Sequence, residues 1–72
     1  VIIKMPDAYE KHGPIRIFDA NGLEWSNVVW ANTETGEIIR QVVEGGELLI
    51  VYGNIIHERV KAAAPLRVEL MR

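Results

Sequence analysis

Residues 19–43 read DANGLEWSNVVWANTETGEIIRQVV, and the reading of this stretch decides the fold. Asn21-Gly22 supplies the positive φ angles that tight hairpin turns demand, and it follows a short alternation that puts Ile15 and Ile17 on one face. Leu23 to Ala31 reads as the next strand, with a register conflict in its middle. Leu23 and Trp25 alternate onto one face, whereas Val28 and Trp30 fall on the other. Either a bulge near Ser26-Asn27 returns both tryptophans to one side, or the strand is covered on both faces. Asn32 to Gly36 forms a second hairpin loop with Gly36 at the left-handed position, and Glu37 to Val43 follows as a strand that is apolar on both faces at its ends.

Upstream, Val1 to Met5 reads as a strand ended by Pro6. Residues 6–14 are polar, bracketed by prolines and aperiodic, which predicts a loop, so 1–14 is an N-terminal strand plus arm. Downstream, Glu44-Gly45-Gly46-Glu47 is a third turn, Leu48 to Tyr52 a continuous apolar strand, and Gly53-Asn54 a turn into Ile55 to Lys61. After Ala62-Ala63-Ala64-Pro65, Leu66 to Leu70 alternates with one face apolar and the other charged. No repeat at a fixed period, linker or helix-period segment of useful length interrupts this pattern. The expected fold is all-β, one domain over residues 1–72, with about six short antiparallel strands in a meander, closed into a small barrel or folded as a two-layer sandwich.

Composition agrees. Val and Ile number 17 against five Leu, and branching at Cβ favours a pleated, half-buried surface. With 72 residues, 49% of them apolar, the chain is short for a domain and buries only ~60% of the surface its unfolded form exposes. There is no cysteine to add a disulfide. Extra stability is therefore expected from association with copies of itself or with a partner. The longest apolar run, Leu48 to Tyr52, is far short of the ~20 residues a membrane span needs, and no signal-peptide pattern opens the chain. The chain starts at Val1, which leaves open a removed initiator methionine or a preceding segment.

The formal charge is −2, unevenly placed. Residues 23–47 carry Glu24, Glu34, Glu37, Glu44 and Glu47 against Arg40, whereas 48–72 carry a candidate basic stripe of Arg59, Lys61, Arg67 and Arg72 against Glu58 and Glu69. Solvated strand faces account for this, and head-to-tail pairing of acidic and basic patches between subunits is the sharper reading.

The residues for chemistry are sparse. His12 and His57 lack a ligand partner at metal spacing, so no metal and no cofactor is expected. Asp19 to Glu24 has the acidic, glycine-turned character of part of a calcium loop but lacks its remaining oxygen ligands, and a hairpin explains it. Ser26 is the only serine and is not in a glycine-flanked elbow, and carboxylate chemistry would require Asp19, Glu24 or Glu34 to converge. A chain this small also has little room for a pocket of ~300 Å³. The expectation is a non-enzymatic protein. Nucleic acid is the runner-up, as a small barrel binding a single strand through the basic stripe, but both tryptophans sit in the acidic segment, which repels phosphate. The favoured partner is protein. Trp25 and Trp30, with Ile38, Val42, Leu49 and Val51 as adjoining apolar surface, are the expected packing or contact residues, because several strands are apolar on both faces and one copy cannot enclose them all.

Asp19-Ala20-Asn21-Gly22-Leu23-Glu24-Trp25 and the run Val28 to Arg40, VVWANTETGEIIR, resemble small β-rich proteins encoded in tailed-phage and prophage genomes. The resemblance implies a phage origin and, for a short acidic β-domain, a multicopy structural or accessory role on the particle: head decoration, head completion or tail accessory. It implies a place in the virion or the host cytoplasm rather than secretion or a membrane. A phage-encoded binder of a host protein is the other role it allows. It carries over no catalytic residue.

Overall fold

A computed structural model describes residues 1–5 and 7–71 of the chain. Among the described residues eleven short strands and one helix follow in the order β1 (Ile2–Lys4), α1 (Asp7–His12), β2 (Ile15–Phe18), β3 (Glu24–Trp25), β4 (Val28–Asn32), β5 (Glu37–Gln41), β6 (Val43–Glu44), β7 (Glu47–Leu48), β8 (Ile50–Val51), β9 (Asn54–Ile55), β10 (His57–Lys61) and β11 (Arg67–Leu70). Every pairing is antiparallel, so the all-β expectation holds, with more strands than six. The extra strands arise because four of the expected strands are each broken once, at Ser26-Asn27, Val42, Leu49 and Ile56.

A four-stranded sheet has the order β1-β4-β5-β10, and a three-stranded sheet the order β11-β2-β3. They share one core, with Ile17 from the smaller sheet, Ala31 and Ile38 from the larger, and Ala62 and Leu66 from the crossover between β10 and β11. Ile38 is the largest side chain that is wholly buried. Gly36 closes the β4–β5 hairpin at φ 82°, as expected, and lies so near the Ala62 carbonyl that a Cβ would strike it. The Ala62 N–H donates to the Gly36 carbonyl at 2.8 Å, which pins the crossover to the hairpin.

Three local expectations are corrected. Asp7–His12, expected as loop, is a short helix: Asp7 and Glu10 lie in its first turn and Lys11 and His12 in its last, matching the helix dipole. Gly13 ends it at φ 79°, with its N–H donating to the Tyr9 carbonyl at 2.7 Å. Six residues are too few to show a period. The turn after Asp19 is set by the Gly22 N–H donating to the Asp19 carbonyl at 3.0 Å, with Gly22, not Asn21, in the left-handed region.

The third concerns the tryptophans. The strand from Leu23 to Ala31 breaks at Asn27, whose φ is 59°, and the chain passes there from one sheet to the other. The pairing irregularity falls between Val28 and Trp30 in β4, not at Ser26-Asn27. Val28 packs on the core, and the bulge then turns Trp30 outward and Ala31 inward. The two tryptophans therefore end on different faces.

Candidate interaction surface

Two adjacent rows across the four-stranded sheet divide inside from outside. In register, Ile3–Ala31–Ile38–Val60 faces the core, and Lys4–Trp30–Ile39–Arg59 faces away. Trp30 and Ile39 are half-buried on that outer face, flanked by a cation at each end. Lys61 lies on the same face opposite Glu37, whose Oε2 is 3.8 Å from Arg59.

Beyond Gln41 and His57 the sheet opens into an arm. Val43–Glu44 pairs with Glu47–Leu48 around Gly45-Gly46, and Ile50–Val51 pairs with Asn54–Ile55 around Tyr52-Gly53. In each turn both central residues have positive φ, the geometry that suits two-residue hairpins. The three ladders meet in a ring of hydrogen bonds: Val42 N–H donates to the Ile56 carbonyl, Ile56 N–H to Leu49, and Leu49 N–H back to Val42, each at 2.9 Å. The ring positions are spaced by seven because the arm is a tandem repeat, VEGGELL (43–49) and IVYGNII (50–56), each unit a hairpin ending on a ring residue. No repeat was expected, and this one is legible as apolar, any, turn residue, Gly, polar, apolar, apolar.

The arm holds no buried residue. Val42, Leu49 and Ile56 are half-buried, while Val43, Leu48, Ile50, Val51 and Ile55 are exposed. Alternation past Gln41 and His57 carries the outer face of the sheet onto the directly opposed pairs Val43/Leu48 and Ile50/Ile55. At the other end of the second hairpin, Tyr52 is 99% exposed at φ 50°, a conformation unfavourable for a bulky L-residue. Glu44 lies directly opposite Glu47, a repulsive cross-strand pair, and neither has a cation partner among the described residues.

The expected contact residues thus separate. Val42, Leu49 and Val51 lie in the arm, and Trp30 on the outer sheet face. Ile38 does not belong to a contact surface, since alternation sends it to the centre of the core. Trp25 is half-buried against that core under the Arg40 guanidinium, 5.0 Å from its ring, and its indole N–H donates to Asp19 Oδ2 at 3.2 Å. Tyr52, Glu44 and Glu47 belong to the surface and were not expected there. The basic stripe also divides: Arg59 and Lys61 sit on the outer face of the larger sheet, whereas Arg67 lies in β11 beside Phe18, 4.8 Å from its ring. Arg72 lies outside the described residues.

The carboxylates considered for chemistry are each engaged. Asp19 accepts from the backbone N–H groups of Asn21 and Leu23 and from Trp25. Burial pushes its carboxyl up, but those hydrogen bonds, with one from the Gly22 N–H, outweigh burial and hold it below the usual carboxylate range. Glu24 is held low by its hydrogen bonds from Arg16, the shorter 2.7 Å. Glu34 lies 3.7 Å from the Val1 ammonium. Among the described residues no three His, Asp or Glu side chains gather as metal ligands, and no helix is long and apolar enough to cross a membrane. The shallow space is larger than the length suggested: an apolar cleft of about 340 Å³, lined by Ile3, Ala8, Ile15, Leu66, Val68 and Leu70 among others, opens between α1 and β11. In comparisons with known proteins, no family model matches the chain, and neither does any curated protein or solved structure.

Proposed function

We propose that this protein is a non-enzymatic protein–protein interaction domain that docks through the 42–56 arm. One observation carries the reading: six of the large apolar side chains that the fold leaves exposed lie between Val43 and Ile55, in an arm with no buried residue of its own. Clustered apolar exposure marks contact surfaces, and an aromatic ring held out at a strained turn suits an interface anchor. The likeness of 28–40 to phage-encoded hairpins supports a multicopy structural or accessory place on a phage particle as the setting, with a host protein as the alternative target. A single-stranded nucleic acid finds less support, because the row Lys4–Trp30–Ile39–Arg59 offers one half-buried ring where stacking platforms use successive exposed ones.

The test compares wild type with Tyr52→Asn in cells that carry the gene, by sedimentation of extracts and of any particles they yield. Asn suits a left-handed turn, so the fold persists. The wild type is expected in assemblies well above its 8.1 kDa, and the variant in far smaller amount. A wild-type chain that sediments at its own mass sinks the reading.

A further inference from the structure

β11 lies at the end of its sheet and pairs with β2 alone. Its register, with the bond from the Met71 N–H to the Pro14 carbonyl, fixes which of its backbone groups that pairing uses: those of Arg67, Glu69 and Met71. The N–H and C=O of Leu66, Val68 and Leu70 point the other way, to the outer edge. There the Leu66 N–H donates to the Thr33 carbonyl at 2.8 Å, so a second ladder is begun. It stops after that bond: among the described residues no backbone group meets the outer edge at Val68 or Leu70. The same residues line the apolar cleft of about 340 Å³, to which Ile3 and Ala8 contribute from β1 and α1, and no Asp, Glu, Lys or Arg lines it. The other edges are closed to an extension of this kind. On β10 the bonds at Ala62 and Val42 leave His57, Arg59 and Lys61 facing outward, and charged residues guard an edge. β1 has α1 packed against it, and β3 is two residues long.

We propose that the outer edge of β11 takes an extended segment of another protein as an added antiparallel strand, with apolar side chains at alternate positions seated in the cleft. The backbone of such a strand continues the ladder that Thr33 starts, and its residues opposite Val68 and Leu70 point inward. The residue between them lies opposite Glu69 on the outer face, where a cation is favoured. A lipid chain would fill the cleft but leave the edge amides unpaired. A second β11 fits poorly. Centred on Val68 it would need the Leu66 position that Thr33 holds, and centred on Glu69 it would set like charges opposite each other. The occupant is therefore a strand of a different chain with the pattern apolar, basic, apolar. This site is separate from the arm, and neither depends on the other.

The test uses the purified chain and the probe acetyl-Thr-Val-Lys-Val-Thr-amide, with amide exchange followed residue by residue by NMR. Saturating peptide is expected to slow exchange at Val68 and Leu70 at least about threefold and to leave the outward amides of His57, Arg59 and Lys61 unchanged. Leu70→Pro removes an outward N–H that β2 does not use, and it is expected to weaken binding at least about tenfold while the melting curve stays near that of wild type. Ala8→Leu, which narrows the cleft from the helix side and leaves β11 untouched, is expected to weaken binding likewise. Equal protection of the β10 edge, no protection of β11, or variants that bind like wild type would overturn the proposal. So would a chain that self-associates and protects Val68 and Leu70 without peptide, or one that takes up decanol in the cleft but no peptide. The Tyr52→Asn comparison in cells reads the arm, so the two readings fail separately.

Discussion

The two-sheet body and the arm are built from the same residue types and treat them in opposite ways. In the body, Ile38 and Ala31 are wholly buried, Arg16, Arg40 and Arg67 each meet a carboxylate within 3 Å, and Asp19 is surrounded by donors. In the arm, Ile50, Val51 and Tyr52 face water, Glu44 opposes Glu47, and the turn at Tyr52 has a bulky residue where Asn or Gly would be relaxed. Local consistency marks sequence chosen for folding, and local conflict marks sequence kept for something else. The contrast supports the proposal that the body supplies stability and the arm contact.

Four measurements can break or sharpen that contrast. The largest effect is expected in the core: Ile38→Ala should cost about 3–4 kcal/mol in denaturant unfolding, against less than about 1 kcal/mol for Leu48→Ala in the unpartnered chain. Equal losses would mean that the arm is part of the folding core. Next come the glycines. Gly36→Ala meets both a left-handed φ and the Ala62 carbonyl and should cost about 2–4 kcal/mol, whereas Gly46→Ala has open space around it and should cost about 1–2 kcal/mol.

Acid is the third probe. The Asp19 carboxyl is held low in the folded chain, so its contribution is complete above the unfolded pKa of ~3.9 and disappears as pH falls through the lower folded value. Thermal melting should therefore weaken below about pH 4, and Asp19→Asn should be less stable at neutral pH and flatter in acid. An unchanged acid limb in that variant would remove Asp19 from the account. Smallest is Tyr52→Asn, expected to stabilise the isolated chain by about 0.5–1 kcal/mol even as it weakens docking. A loss of stability would mean that the ring has an intramolecular role.

Turn chemistry was the most legible part of the sequence. Gly36 sits at its left-handed position, the turn at Gly45-Gly46 falls as expected, the turn expected at Gly53-Asn54 lies one residue earlier at Tyr52-Gly53, and Leu66 to Leu70 keeps its alternation. These depend on neighbours along the chain. Pairing does not. Glu37 to Val43, Leu48 to Tyr52 and Ile55 to Lys61 read as three successive strands, yet β5 pairs with β10 across fifteen intervening residues, and the segment between folds on itself twice. The outward position of Trp30 depends on a bulge against β5 that its own strand does not encode, and so a residue expected among contacts was found beside one, Ile38, that is buried. Of the candidate surface, Val42, Leu49 and Val51 were legible because apolar residues outnumbered the faces available to hide them. Tyr52 was not, since its significance lies in a backbone angle.

The ring joining Val42, Leu49 and Ile56 has one more consequence. Two-residue ladders are too short to persist singly in water, and here each depends on the same three bonds. The arm should consequently behave as a latch with two positions, set or sprung, with no half-formed hairpin between them. Amide hydrogens at those three positions would then exchange with solvent at one common rate, and a partner that grips either hairpin would lock the other.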